Sequence, residues 1–264
     1  MPSRRPFLPV LLLLLAPLAL AAQATRDQTR LVIGIAGGYI GGKELWNVPA
    51  QPISAIGQQT EIFDLGRRLR SNVTMSATGT YFPGAHLGYT GEVSYLGLGT
   101  VDRCRITVST GDFVNEQACR ALDGNQRSAS AVAAMGGITL RALSRSAIQP
   151  YARVLAGIAI VPRGTVEMTS NFGVEEDAVL PIYLEENRRD IKPAAGLVLG
   201  LATANSNGYQ FRIEARGTWV RLPVVTGASA RENLVPPTEV RSTFLPSIVV
   251  GMDIVLEKRR GRRY

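Results

Sequence analysis

Eight long stretches of this chain either alternate apolar and polar residues with a period of two or are rich in small residues, and few folds accommodate that pattern at that length. They span 30–42, 69–82, 86–99, 128–143, 149–162, 191–204, 209–223 and 241–257. A period of two places successive side chains on opposite faces of a β-strand. In the third stretch Leu87, Tyr89, Val93 and Tyr95 share one face, while Thr90, Glu92 and Ser94 share the other. In the seventh, Phe211, Ile213, Ala215 and Trp219 oppose Gln210, Arg212, Glu214, Arg216 and Thr218. Soluble strands average about five or six residues, whereas a tilted strand crossing a bilayer needs about nine to eleven. These stretches are long enough to cross.

The connections alternate in size. Residues 82–86, 144–149 and 205–208 make short turns, the last ending in an Asn-Gly pair that supplies the positive φ a tight hairpin wants. The other four connections, 43–68, 100–127, 163–190 and 224–240, are much longer. Short turns on one side and long loops on the other is the layout of a bacterial outer-membrane barrel. The fold class is therefore all-β: an eight-stranded antiparallel up-and-down transmembrane β-barrel with short periplasmic turns and long extracellular loops. A soluble barrel would wrap the apolar faces inward. Lipid cannot satisfy polar groups, so a membrane barrel turns them outward. The aromatic positions support the second arrangement. Tyr81, Phe82, Tyr89, Tyr151, Tyr209 and Phe211 gather toward the turn side, and Tyr39, Tyr95, Trp219 and Phe244 toward the loop side, as belts at two interfaces do. Tyr151 shares parity with Arg153 and so needs a bulge or an inward position.

The N-terminus reads as an export signal over 1–24: Arg4 and Arg5, then an apolar run from Leu8 to Leu20, then Ala22-Gln23-Ala24. The barrel is expected over 25–257 and a basic periplasmic tail over 258–264. The formal charge of +8 divides accordingly. Two positive charges leave with the signal and five sit in the last seven residues, so the body is nearly neutral. That distribution argues against nucleic acid as a partner. Export to an oxidising compartment makes a bond between Cys104 and Cys119 the favoured reading over two free thiols.

The whole layout resembles the transmembrane domain of the outer membrane protein A family. Within it, Gly251-Met-Asp-Ile254-Val-Leu256 is similar to the terminal signal read by the barrel-assembly machinery, although Leu256 replaces the usual aromatic and eight residues follow. The resemblance implies outer-membrane lipid and lipopolysaccharide as surroundings, and the barrel-assembly machinery as a partner.

Glu92, Arg141, Arg153, Arg212, Glu214, Arg216 and Asp253 fall on the faces expected inside. Interleaved signs favour a salt-bridge plug over a narrow ion path, since an unpaired buried charge costs several kcal/mol. No catalytic, cofactor or metal residues are expected: the lone His86 sits in a turn with no Ser/His/acid grouping. Any ligand would meet the four long loops. The first holds Trp46 and a possible helical piece at 59–68. The third holds the acidic residues 175–177 and 185–186, and is long enough for a hairpin. The expected role is structural or surface interaction, with a small pore or a conduit for apolar molecules as the alternative and an envelope enzyme last.

Overall fold

A computed structural model describes residues 30–53, 60–144, 146–161, 165–171, 179–184, 190–203, 208–229 and 235–257. The export signal, the basic tail and the two acidic clusters of the third loop lie outside them.

Eight strands close into an antiparallel barrel: β1 (Arg30–Ile40), β4 (Asn72–Phe82), β5 (Leu87–Gly97), β8 (Ser130–Arg141), β9 (Ile148–Val161), β12 (Asp190–Thr203), β13 (Tyr209–Val225) and β14 (Thr238–Glu257). Each pairs with the next in chain order, and β1 closes the circle on β14. No edge of the barrel sheet is left open, the closure a hydrocarbon solvent demands. The alternation expected from the sequence is the alternation found. Ile35 and Ile248 each leave 65% of their surface uncovered on the outer wall, whereas their neighbours Ala36 and Val249 are buried inside. A wall that turns an apolar face outward is the arrangement a lipid solvent requires. Tyr39, Tyr81, Tyr89, Tyr95, Tyr209, Phe211, Trp219 and Phe244 all lie on the outer surface. Trp219 and Phe244 pair across β13 and β14 with ring centroids 4.9 Å apart.

The described parts of the long connections carry regular structure of their own. Two residues, Gly41 and Gly42, lead from β1 into β2 (Lys43–Ile53), which pairs with β3 (Glu61–Leu69). A Cβ on Gly42 would stand 2.6 Å from the Leu69 carbonyl oxygen, so this close passage needs glycine. β3 pairs in turn with β6 (Thr100–Val108), and β6 with the short β7 (Gln126–Arg127), giving a second sheet of four strands. Helix α1 (Phe113–Leu122) lies between β6 and β7. Asp112 caps it by accepting from the Val114 N–H at 2.9 Å. A hairpin of β10 (Met168–Asn171) and β11 (Val179–Tyr183) completes the layer. β13 and β14 outrun the barrel and pair as far as Val225 with Thr238.

One expectation is corrected. The helical piece expected at 59–68 is not formed over its described residues; β3 occupies Glu61–Leu69. Phe63, Leu65 and Leu69 alternate onto one buried face, and partners on both sides supply ladder hydrogen bonds. Tertiary pairing overrides the helical preference of Glu, Leu and Arg.

Candidate functional site: a filled lumen beneath a stapled cap

The lumen has three tiers. At the turn-side rim Val32, Phe82 and Val255 form a small apolar cluster. Phe82 therefore points inward rather than joining the outer aromatic belt. Arg141 stands over its ring at 4.3 Å and donates to the Ala85 carbonyl from Nε and Nη2, at 3.2 and 3.0 Å.

Above the rim lies a charged tier. Glu214 is its hub. Arg216 donates from Nε to Glu214 Oε2, while Arg212 and Arg153 approach Oε1 at 3.3 and 3.7 Å. Tyr151 donates its hydroxyl to Glu214 as well. Glu92 takes Arg216 at 2.9 Å and Arg153 at 3.2 Å, one on each oxygen. Asp253 meets Arg212 at 2.8 Å. Three carboxylates thus face three guanidinium groups, while Arg141 is anchored at the rim on a carbonyl and a ring. Threonines carry the tier sideways: Thr80 to Thr90 at 2.9 Å, Thr90 to Thr139 at 2.6 Å, and Arg153 Nε to Thr139 at 3.2 Å.

Glycines on neighbouring strands make the room. A Cβ on Gly34 would stand 1.7 Å from Asp253 Oδ1, and one on Gly251 2.9 Å from Arg212 Nε. Gly200 lies under the Tyr151 ring, which a Cβ would strike at 2.4 Å. The inward Tyr151 needs no bulge because Gly200 faces it across the β9–β12 ladder. The cavity left among these groups measures about 30 Å³, room for about one water.

The loop-side half of the lumen is different. Ile40, Leu96, Leu98, Met135, Leu155, Val198, Val220, Leu222 and Leu245 fill it with hydrocarbon, joined by Leu69 from β3. The sequence reading anticipated charge inside, not this apolar tier.

Over the apolar tier sits the cap, with a core of its own that includes Trp46, Phe63, Leu65, Leu122, Met168 and Tyr183. Arg67 and Asp102 pair bidentately within it at 2.6 and 3.0 Å, both side chains fully buried. Gln51 Oε1 accepts from the Tyr183 hydroxyl at 2.7 Å and from the Ser229 N–H at 2.8 Å. Trp46 Nε1 donates to the Thr165 carbonyl at 2.9 Å. These bonds tie β2 to parts of the third and fourth long connections. Cys104 and Cys119 form a disulfide that staples β6 to α1. Glu61, also buried, accepts at Oε1 from the N–H groups of Thr110 (2.8 Å) and Asp112 (3.3 Å) and from the Ser109 and Thr110 hydroxyls. Burial pushes its carboxyl up, but those donors together hold it below the usual glutamate value. Arg67 and Glu61 escaped the sequence reading because they fall in the stretch taken as helical. The parity of Phe63, Leu65, Arg67 and Leu69 was the available signal.

His86 occupies the β4–β5 turn, with Nδ1 3.0 Å from the Arg141 carbonyl oxygen. No group of three metal-ligating side chains occurs among the described residues. A hollow of about 720 Å³ lies not in the lumen but on the outer wall. It is bordered by Ile35, Met75, Tyr95, Phe211 and Met252 around Gly37 and Ala77, a gap between outward side chains that acyl chains would fill.

No family model matches the chain, and no curated protein does. Among solved structures it is similar to outer membrane protein AlkL in lipid bilayers: 12% identity, 99% of each chain covered, TM-score 0.45. It is also similar to the outer membrane protein OprG from Pseudomonas aeruginosa: 9% identity, 89% of this chain and 100% of that one, TM-score 0.47. A third is the outer membrane protease OmpT from Escherichia coli: 9% identity, 86% and 97%, TM-score 0.37. The fold is a small closed eight-stranded antiparallel barrel. The likeness to outer membrane protein A is a loose fit, one of strand number and closure. At these identities none of the likenesses bears on role.

Proposed function

We propose that this chain is an outer-membrane protein with a structural and surface-interaction role: a barrel with a sealed lumen that holds a rigid cap outside the cell. One observation carries the reading. The charged tier and the apolar tier fill the lumen one above the other, leaving about 30 Å³ at the charged level. A permeant solute would have to break paired buried ions and then cross packed hydrocarbon. The four long connections, meanwhile, supply a folded cap with its own core and disulfide.

In this reading residues 1–24 direct export and are removed, and β14 presents Gly251–Leu256 to the barrel-assembly machinery. The tail at 258–264 stays in the periplasm, and lipid with lipopolysaccharide surrounds the wall. No catalysis is assigned, because the one histidine is engaged with a backbone carbonyl in the turn. Purified protein reconstituted in planar bilayers tests the sealed lumen: the expected trace is flat, and reproducible unitary conductance steps would overturn it. Extraction tests the location. The protein should leave the membrane fraction with detergent and migrate as a heat-modifiable band, and a mature chain soluble without detergent would sink the membrane reading.

A further inference from the structure

We infer that the outer face of the cap sheet is a binding ladder for the phosphate groups of the lipopolysaccharide core in which the barrel stands. The inference rests on the outer-membrane reading above. On β3, Phe63, Leu65 and Arg67 face the cap core and Leu69 the apolar tier of the lumen, which sends Asp64, Gly66 and Arg68 to the other side, with Arg70 just past the strand end. On β6, Asp102 and Cys104 face the core, which sends Arg103 and Arg105 outward. Arg68, Arg70, Arg103 and Arg105 are all exposed. Arg70 donates to Gln126. Arg68, Arg103 and Arg105 form no ion pair among the described residues. Two carboxylates share the face: Glu44 opposite Arg68 and Asp64 opposite Arg105.

The placement is vertical. Arg70 is two residues from the start of β4, at the barrel rim. Arg103 stands opposite Gly66 and Arg105 opposite Asp64, so the sheet register raises successive guanidinium groups away from the membrane. At about 3.3 Å per residue the series runs about 20 Å along the strands. That is a column of cations standing beside the leaflet, not a patch at the tip of the cap. An upright saccharide carrying phosphates at intervals matches it in charge and direction. Guanidinium groups bind such oxyanions by paired N–H donors. Between Arg68 and Arg103 the missing side chain of Gly66 leaves a furrow edged by Asn47 and Glu44. A Cβ there would meet Asn47 Oδ1 at 3.4 Å, ordinary contact, so a side chain can enter the furrow from Gly66 without a backbone clash.

The test uses the full mature protein in detergent, titrated with purified rough-type lipopolysaccharide carrying its core phosphates, with the same material after chemical dephosphorylation, and with heparin. Wild type is compared with the triple variant Arg68→Gln, Arg103→Gln, Arg105→Gln and, separately, with Gly66→Leu. The triple variant should bind the phosphorylated material at least tenfold more weakly, and Gly66→Leu several-fold more weakly. Dephosphorylation should erase the difference between wild type and triple variant. Added salt should weaken wild-type binding most, as exposed charges are screened. Unchanged affinity in both variants, or equal loss on dephosphorylated material, overturns the ladder. If the arginines matter for heparin and not for lipopolysaccharide, the occupant is wrong. Heat-modifiable mobility and an intact disulfide report folding, and Gly66→Leu keeps the question open to refutation should the triple variant misfold. Solubility without detergent would defeat the membrane reading whatever the titration shows.

Discussion

The two halves of the lumen are built from the same strands and filled by opposite chemistry. On β13, Arg212, Glu214 and Arg216 enter the charged tier, and the same inward row continues as Val220 and Leu222 in the apolar one. On β9, Arg153 is followed inward by Leu155. The charged half must be complete, because each ion there depends on its partners; the apolar half is a sum of separable contacts. Removing one side chain should therefore cost more below the divide than above it.

The hub is the sharpest place to break that contrast. Glu214→Ala leaves Arg212, Arg216 and Arg153 short of a partner inside the wall. Stability should fall by about 3–5 kcal/mol, the range for stranding a buried charge. Urea titration of the heat-modifiable band would show it, and a loss under about 1 kcal/mol would mean that water, not Glu214, compensates the arginines. In the other half, Leu222→Ala removes a fully buried side chain from hydrocarbon. The expected loss is about 2–5 kcal/mol, set by how far the tier can collapse. Because the charged tier persists beneath, the variant should still give a flat bilayer trace; conductance from it would mean that the apolar tier is the sole seal.

This divide also marks what the sequence makes readable. The charged half is legible because Glu214 between Ile213 and Ala215 contrasts with its neighbours. The apolar half is not, since Leu155 and Val154 look alike to a periodicity argument though one faces the lumen and the other lipid. Strands β1 and β12 carry glycines whose meaning depends on the residue across the ladder, such as Tyr151 over Gly200, and that pairing is a register fact. The cap stayed hidden for a further reason. β3 gains its strand character from β2 and β6, which flank it in space, while the Glu, Leu and Arg among its residues are good helix formers.

The cap and the barrel should come apart under reduction. The Cys104–Cys119 bond closes a short loop and should contribute about 3 kcal/mol, confined to the cap. Cys104→Ser with Cys119→Ser should expose α1 to protease while the band stays heat-modifiable. Loss of the heat-modifiable band as well would show that cap and barrel fold as one unit.

The smallest expected effect is acid loosening of the cap at Glu61. Its carboxyl lies below the usual glutamate value when folded, so the folded state favours the ionised form. The stability this adds is fully present above the unfolded value of about 4.3 and is lost as pH falls through the lower folded value. Protonation removes the charge that draws the N–H groups of Thr110 and Asp112, freeing the turn that leads into α1. Hydrogen exchange at those two amides should therefore speed up relative to the barrel strands as pH drops below the carboxylate range, once the intrinsic pH dependence is divided out. Glu61→Gln should show the loosened rate already at neutral pH and no further acid step. If the two amides exchange at the same corrected rate across that range, the donors are held by the backbone of the turn itself, and the carboxylate is a passenger.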